Sequence, residues 1–111
     1  MTIDQITSKQ IEAYNNRDLE GNMDLFSDDI KFIQLSNGNI LLEGKQAVQE
    51  MYKHLFDNSP DLFAEVVKRI DFEDKVVLHE YIHGRHGNKE KMEQVIILEI
   101  QNNKISKIYK L

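Results

Sequence analysis

From Leu62 to Tyr109 the chain is a succession of β-forming runs joined by very short turns. Leu62–Phe72 reads as one long strand. Glu73-Asp74-Lys75 is a turn, and Val76–His83 is the next strand. Gly84 and Gly87-Asn88 interrupt the chain, and Met92–Ile100 and Ile105–Tyr109 follow, joined by Gln101-Asn102-Asn103-Lys104. Turns this short allow only hairpin returns between neighbours, so the C-terminal half must be an antiparallel sheet. The apolar residues of that sheet need a cover, and the N-terminal half supplies helices for it.

Thr2 can cap a first helix, with Gln5 three residues on completing a capping box. Ile3, Ile6, Gln10, Ala13 and Tyr14 then share one face at helical spacing. Asn15-Asn16-Arg17 breaks this helix. Asp18 caps a short second one that carries Leu19, Met23 and Phe26 inward, and Ser27-Asp28-Asp29 ends it. Ile30–Leu35 alternates as a strand. Ser36-Asn37-Gly38-Asn39 is a hairpin signal, because Asn-Gly accepts the positive φ angles of a tight turn. Ile40–Glu43 returns, and beyond Gly44 a third helix runs from Lys45 to Asp57, stopped by Asn58-Ser59-Pro60. The expected fold is α+β: three helices from the N-terminal half pack on a strongly curved antiparallel sheet of about six strands. Residues 1–111 form one domain, since a chain this long supports one core and not two.

Composition narrows the function. A net charge of −5 argues against nucleic acid and against an anionic membrane surface. Apolar runs such as Val95-Ile96-Ile97-Leu98 are too short to span a bilayer. Asp4, Glu12, Asp18 and Glu20 leave no apolar block near the start, so no secretory signal is expected and a cytoplasmic location is. Without cysteine there is no disulfide, thiolate zinc site or cysteine nucleophile. No serine sits in a glycine elbow and no glycine-rich phosphate loop is present, so no cofactor is implied.

His79-Glu80-Tyr81-Ile82-His83 matches the His-Glu-x-x-His pattern of zinc hydrolases. Two histidines four apart lie about 6 Å apart on a helix and can share one ion. On a strand, about 13 Å separates them at roughly 3.3 Å per residue, and they cannot. Val76, Val77, Tyr81 and Ile82 are β-formers, Gly84 follows where a helix would continue, and no third ligand is in place. The segment is therefore read as a strand, with a zinc-dependent hydrolase the minor alternative and no metal expected. On that strand Val77, His79, Tyr81, His83 and Arg85 share one face, and Val76, Leu78, Glu80 and Ile82 share the other. One face would lie under the helices and the other would meet a partner chain. The row of polar rings suits a pocket wall, with Met92, Gln94 and Ile96 offered by the next strand. Glu80 and Glu93 stand out among the carboxylates because both fall within strands.

Several segments resemble the nuclear transport factor 2-like superfamily in its SnoaL-like and ketosteroid isomerase-like branch. Tyr14-Asn15-Asn16-Arg17-Asp18-Leu19-Glu20-Gly21 with Leu25-Phe26-Ser27-Asp28-Asp29 is similar to the family's helix–turn–helix entry into its first strand. Leu42-Glu43-Gly44-Lys45-Gln46-Ala47-Val48 resembles the start of its third helix. His79–Gly84 and Asn103–Ile108 resemble its C-terminal strands. The resemblance implies a cone-shaped α+β fold, an internal pocket, commonly a homodimer packed through the sheet, and odd-numbered residues of the His79 strand facing the pocket. The isomerase's tyrosine donor, aspartate base and protonated aspartate fall at Gln10, Gln34 and Ile96, so its mechanism is not transferable.

The expectation is a protein with a pocket for a small, largely apolar metabolite. Any reaction would be isomerase- or lyase-like proton transfer: isomerisation, dehydration or cyclisation. His79 or His83 would be the base, Tyr14 or Tyr81 the polarising donor, and Gln34 and Gln94 orienting amides. Gln10, Met51, Leu55, Met92 and Ile96 would complete the pocket. The competing reading is a non-catalytic ligand-binding or dimerisation module.

Overall fold

The computed structural model describes residues 1–111. The elements, in chain order, are α1 (Ile3–Asn15), α2 (Leu19–Met23), β1 (Phe26–Gln34), β2 (Ile40–Glu43), α3 (Lys45–Asp57), β3 (Phe63–Phe72), β4 (Lys75–His83), a short 3₁₀ turn (Arg85–Gly87), β5 (Met92–Gln101) and β6 (Lys104–Lys110).

The helix starts follow their capping residues. The Thr2 hydroxyl accepts from the Gln5 amide at 3.1 Å, and the Gln5 side chain accepts from the Thr2 amide at 2.9 Å. Asp18 caps α2 by accepting from the Gly21 amide at 3.0 Å. Between these helices Arg17 takes a left-handed conformation, with φ 53°, and its guanidinium donates to the Leu62 carbonyl at 3.0 Å.

The second helix ends earlier than its sequence suggests. Phe26 opens β1 instead of closing α2, and Ser27-Asp28-Asp29 lies inside the strand. The register explains how. Phe26 pairs with Ile105 but Lys31 pairs with Lys107, so the polar residues occupy an irregularity that adds length to β1.

The six strands form one sheet in the order β2-β1-β6-β5-β4-β3. Neighbours along β3-β4-β5-β6 are antiparallel, as short turns require. Asn102 and Asn103, with φ 52° and 62°, supply the positive angles of the last hairpin. The expectation of an antiparallel sheet fails at one place: β1 and β6 run parallel, and the sheet is mixed. These strands come from opposite ends of the chain. No hairpin joins them, so nothing local dictates their direction.

The helices cover one face of the sheet. Ile6 from α1 and Val48, Leu55 and Phe56 from α3 pack on Val76, Leu78, Ile82, Leu98, Ile105 and Ile108. No helix is long and apolar enough to cross a membrane.

Candidate functional site

Strand β4 alternates strictly, with Val76, Leu78, Glu80 and Ile82 buried and Val77, His79, Tyr81 and His83 half-exposed. The hydrophobic effect decides this phase. Burying Val76, Leu78 and Ile82 is worth roughly 1.5–3 kcal/mol per side chain, whereas burying imidazoles requires partners for their polar atoms. A shift of one residue would exchange the two faces completely. The expected orientation is therefore reversed: the even-numbered residues look inward, and Glu80 comes with them.

The odd-numbered face points away from the helices. His79 Nε2 lies 2.6 Å from Glu93 Oε2, and His83 Nε2 lies 2.9 Å from Glu65 Oε1. The Lys91 ammonium sits 4.1 Å from the centre of the Tyr81 ring. His79, Tyr81 and His83 thus stand outside the interior in which a catalytic role was expected for them. The zinc reading fails on geometry: the segment is a strand, and the two histidines pair with different carboxylates on different neighbouring strands.

Beneath the helices lies a cavity of about 50 Å³. Gln10, Ile11 and Tyr14 reach it from α1, and Met51, Tyr52 and Leu55 from α3. The sheet contributes Phe32, Ala64, Glu80, Gln94, Ile96, Ile108 and Lys110, and Arg85 comes from the turn after β4. Of the residues expected to form a pocket, Gln10, Tyr14, Met51, Leu55, Gln94 and Ile96 meet there. Gln94 and Ile96 share a face with Glu80 because the register pairs Glu80 with Gln94 and Leu78 with Ile96, even with even. Gln34 and Met92 do not line the cavity. The Gln34 amide instead donates to the Lys110 carbonyl at 3.3 Å, and Met92, opening β5, is exposed.

Glu80 is the only carboxylate of the cavity wall, and it is 4% exposed. The Gln94 amide donates to its Oε1 at 3.0 Å. Burial raises its pKa, and the Gln94 hydrogen bond partly opposes that by favouring the ionised form. Tyr14 is pushed up to about 12, by burial first, with Arg85 lowering it and Glu80 raising it. Its hydroxyl is therefore a neutral donor throughout the physiological range. Tyr52 shifts in the same direction for the same leading reason. Lys110 is lowered by burial and by the charge of Arg85.

The wall behind these groups is aromatic. Tyr52 stacks on Phe26 with ring centres 5.8 Å apart, and Tyr14 meets Tyr52 edge-on at 6.3 Å. The Gln10 side chain is fixed by donating to Asn22 Oδ1 at 3.1 Å. Of the polar cavity residues, Lys110 was not anticipated, and Arg85 was placed on the His79 face without a site role. Glu80 had a legible signal: it is a single charge in a phase otherwise filled by Val76, Leu78 and Ile82. Arg85 reaches the cavity not through the strand phase but through the turn that Gly84 makes.

The sequence pattern of the SnoaL-like domain matches residues 8–108, nearly the whole chain. The chain belongs to the SnoaL-like domain family. Solved structures share the fold. An uncharacterised cystatin-fold protein from Novosphingobium aromaticivorans superposes with a TM-score of 0.89 at 20% identity, over 100% of this chain and 98% of that one. A candidate polyketide cyclase from Sinorhizobium meliloti gives 0.80 at 14% identity, over 100% of both chains. TerC, co-crystallised with polyporic acid, gives 0.78 at 14% identity, over 98% of this chain and 89% of that one. Likenesses at these identities establish the fold and no more. No curated protein matches the sequence. The SnoaL-like fold thus carries here a cavity whose polar groups are a buried carboxyl, two neutral phenols, two amides and two cations.

Proposed function

We propose that this SnoaL-like protein binds a small, largely apolar molecule in the cavity and moves a proton on it, with Glu80 as the proton carrier. The observation that supports this reading most is Glu80 itself. A buried carboxyl with a raised pKa, held by one amide and facing an apolar cavity, is suited to take and return a proton. Tyr14, kept protonated, would donate a hydrogen bond to an oxygen that gains charge during the transfer. Gln94 orients the Glu80 carboxyl, and Gln10 is placed to orient the ligand. Enolisation-type isomerisation, dehydration and ring closure share these requirements. The structural relative co-crystallised with polyporic acid is consistent with a small-molecule role.

The test is deuterium exchange. A one-ring ketone such as cyclohex-3-enone is incubated with protein in D2O, and loss of its α-proton signals is followed by proton NMR. Wild type and the His79→Phe/His83→Phe double variant should exchange at matching rates, and Glu80→Gln should fall to background. Exchange that depends on the histidines would reject the assignment to Glu80. No exchange above background in wild type would leave the cavity as a binding module without this chemistry.

We also propose that the outer sheet face pairs with a second copy of the chain. Phe63, Ile70 and Phe72 are exposed there, between 49% and 67%. Glu93 and Glu65 each have a histidine partner within the protomer, so their carboxylates are already hydrogen-bonded where two such faces would meet. A cytoplasmic setting fits the acidic, cysteine-free composition.

A further inference from the structure

The charge of the cavity wall runs against that of the protein. The chain carries a net −5, yet two cations, Arg85 and Lys110, face the cavity beside the single carboxyl of Glu80. Neither cation is spent on an acid. The ion pairs of the molecule use Lys31, Lys53, Arg69, Lys75, Lys107, His79 and His83. Glu80 takes its hydrogen bond from Gln94 and not from either cation. With Glu80 ionised the wall carries one net positive charge, and with Glu80 protonated it carries two.

Both cations are held by structure behind them. Gly84, in a left-handed conformation at φ 73°, turns the chain so that Arg85 returns to the cavity rather than continuing the strand. It sits so close to residue 61 that a methyl group there would lie 2.5 Å from the Asp61 carbonyl oxygen. Lys110 is anchored at its carbonyl, which accepts from the Leu35 amide at 2.8 Å and from the Gln34 side chain at 3.3 Å. Burial and the charge of Arg85 both act against the Lys110 ammonium, an imbalance that an anion in the cavity would relieve.

Resting on the reading of the cavity as the ligand site, we infer that its ligand is a small organic anion. A carboxylate or enolate oxygen is held by Arg85 and Lys110, and an apolar ring lies against Tyr14, Met51 and Leu55. Arg85 offers a planar fork to two oxygens, and Lys110 a point charge. The cations would also stabilise negative charge that develops when Glu80 removes a proton.

The test compares benzoate with benzyl alcohol, similar in shape but uncharged, by amide NMR titration at pH 7. Benzoate should bind at least about tenfold more tightly, shifting Ala64, Ile96 and Ile108. In Arg85→Gln and in Lys110→Met the preference should fall several-fold, and in the double variant to about parity. Benzyl alcohol affinity, which reads the apolar wall and the fold of each variant, should fall by far less than benzoate affinity does. Equal affinity of wild type for the two probes would overturn the anion inference while leaving the cavity as a ligand site. A benzoate preference that survives both substitutions would overturn the assignment to Arg85 and Lys110. Shifts confined to the outer sheet face would overturn the cavity reading as well.

Discussion

Gly84→Ala is the substitution whose cost can be worked most fully from the structure. The residue has φ 73° and ψ 12°, a left-handed conformation that costs a side-chain-bearing residue about 1–2 kcal/mol. The added Cβ would lie 2.5 Å from the Asp61 oxygen and 2.7 Å from its carbonyl carbon. Both are backbone atoms, so no rotamer change relieves the contact, and forcing the chain apart adds about 1–3 kcal/mol. The sum is about 3 kcal/mol. Gly87→Ala is the control. Its φ is 76°, and no atom lies within 4 Å of an added Cβ, so only the conformational cost applies. Any gain from a stiffer unfolded chain is common to both variants and cancels in the comparison. In urea, with a slope of about 1.5 kcal/mol per molar, Gly84→Ala should lower the midpoint by about 2 M and Gly87→Ala by about half of that or less. Because Gly84 aims Arg85, the first variant should also lose the preference for benzoate over benzyl alcohol. Equal midpoints for the two variants would refute the claim that the Asp61 contact locks this turn.

Glu80→Gln should stabilise the protein at neutral pH. The folded state holds the Glu80 proton more tightly than the unfolded state does. Wild-type stability therefore falls as pH rises from the ordinary value of 4.5 to the raised folded value, and stays lower above it. The variant escapes that loss, so Tm measured against pH should show it higher at pH 7 and converging with wild type below pH 4.5; curves that coincide at every pH would contradict the burial argument. Leu78→Ala should cost about 2–5 kcal/mol and Val77→Ala less than about 1, since Leu78 is fully buried and Val77 lies on the outer face. Calorimetry that ranked them the other way would mean the strand faces are assigned backwards. Ile70→Glu should leave the fold intact and shift sedimentation from dimer to monomer; a wild-type monomer across micromolar concentrations would reject the proposed pairing.

Much of the fold was legible in the sequence because its signals are local. Thr2 with Gln5, Asp18, and Asn102-Asn103 mark their boundaries through hydrogen bonds or backbone angles spanning a few residues. The parallel pairing of β1 with β6 was not legible, since it joins segments about seventy residues apart with no turn between them. The phase of β4 was written in the sequence but read the wrong way. His79, Tyr81 and His83 draw the eye as chemistry, while the physical weight lies with Val76, Leu78 and Ile82, whose burial fixes the strand. That same burial carries Glu80 inside. The α1 and α3 walls of the cavity followed from helical spacing, and so Tyr14, Gln10, Met51 and Leu55 were found. Lys110 was not, because it depends on the neighbour that its strand acquires, and Arg85, expected on the His79 face, reaches the cavity through a left-handed turn instead.

The most direct measurement is a carbon-13 NMR titration of protein labelled at its glutamate side-chain carboxyls, with Glu80 assigned by loss of its signal in Glu80→Gln. The account predicts a Glu80 midpoint above 4.5 in the free protein and a clear shift of that midpoint when benzoate is added. An ordinary midpoint that benzoate leaves unmoved, with Glu93 or Glu65 responding instead, would place the functional face on the other side of the sheet.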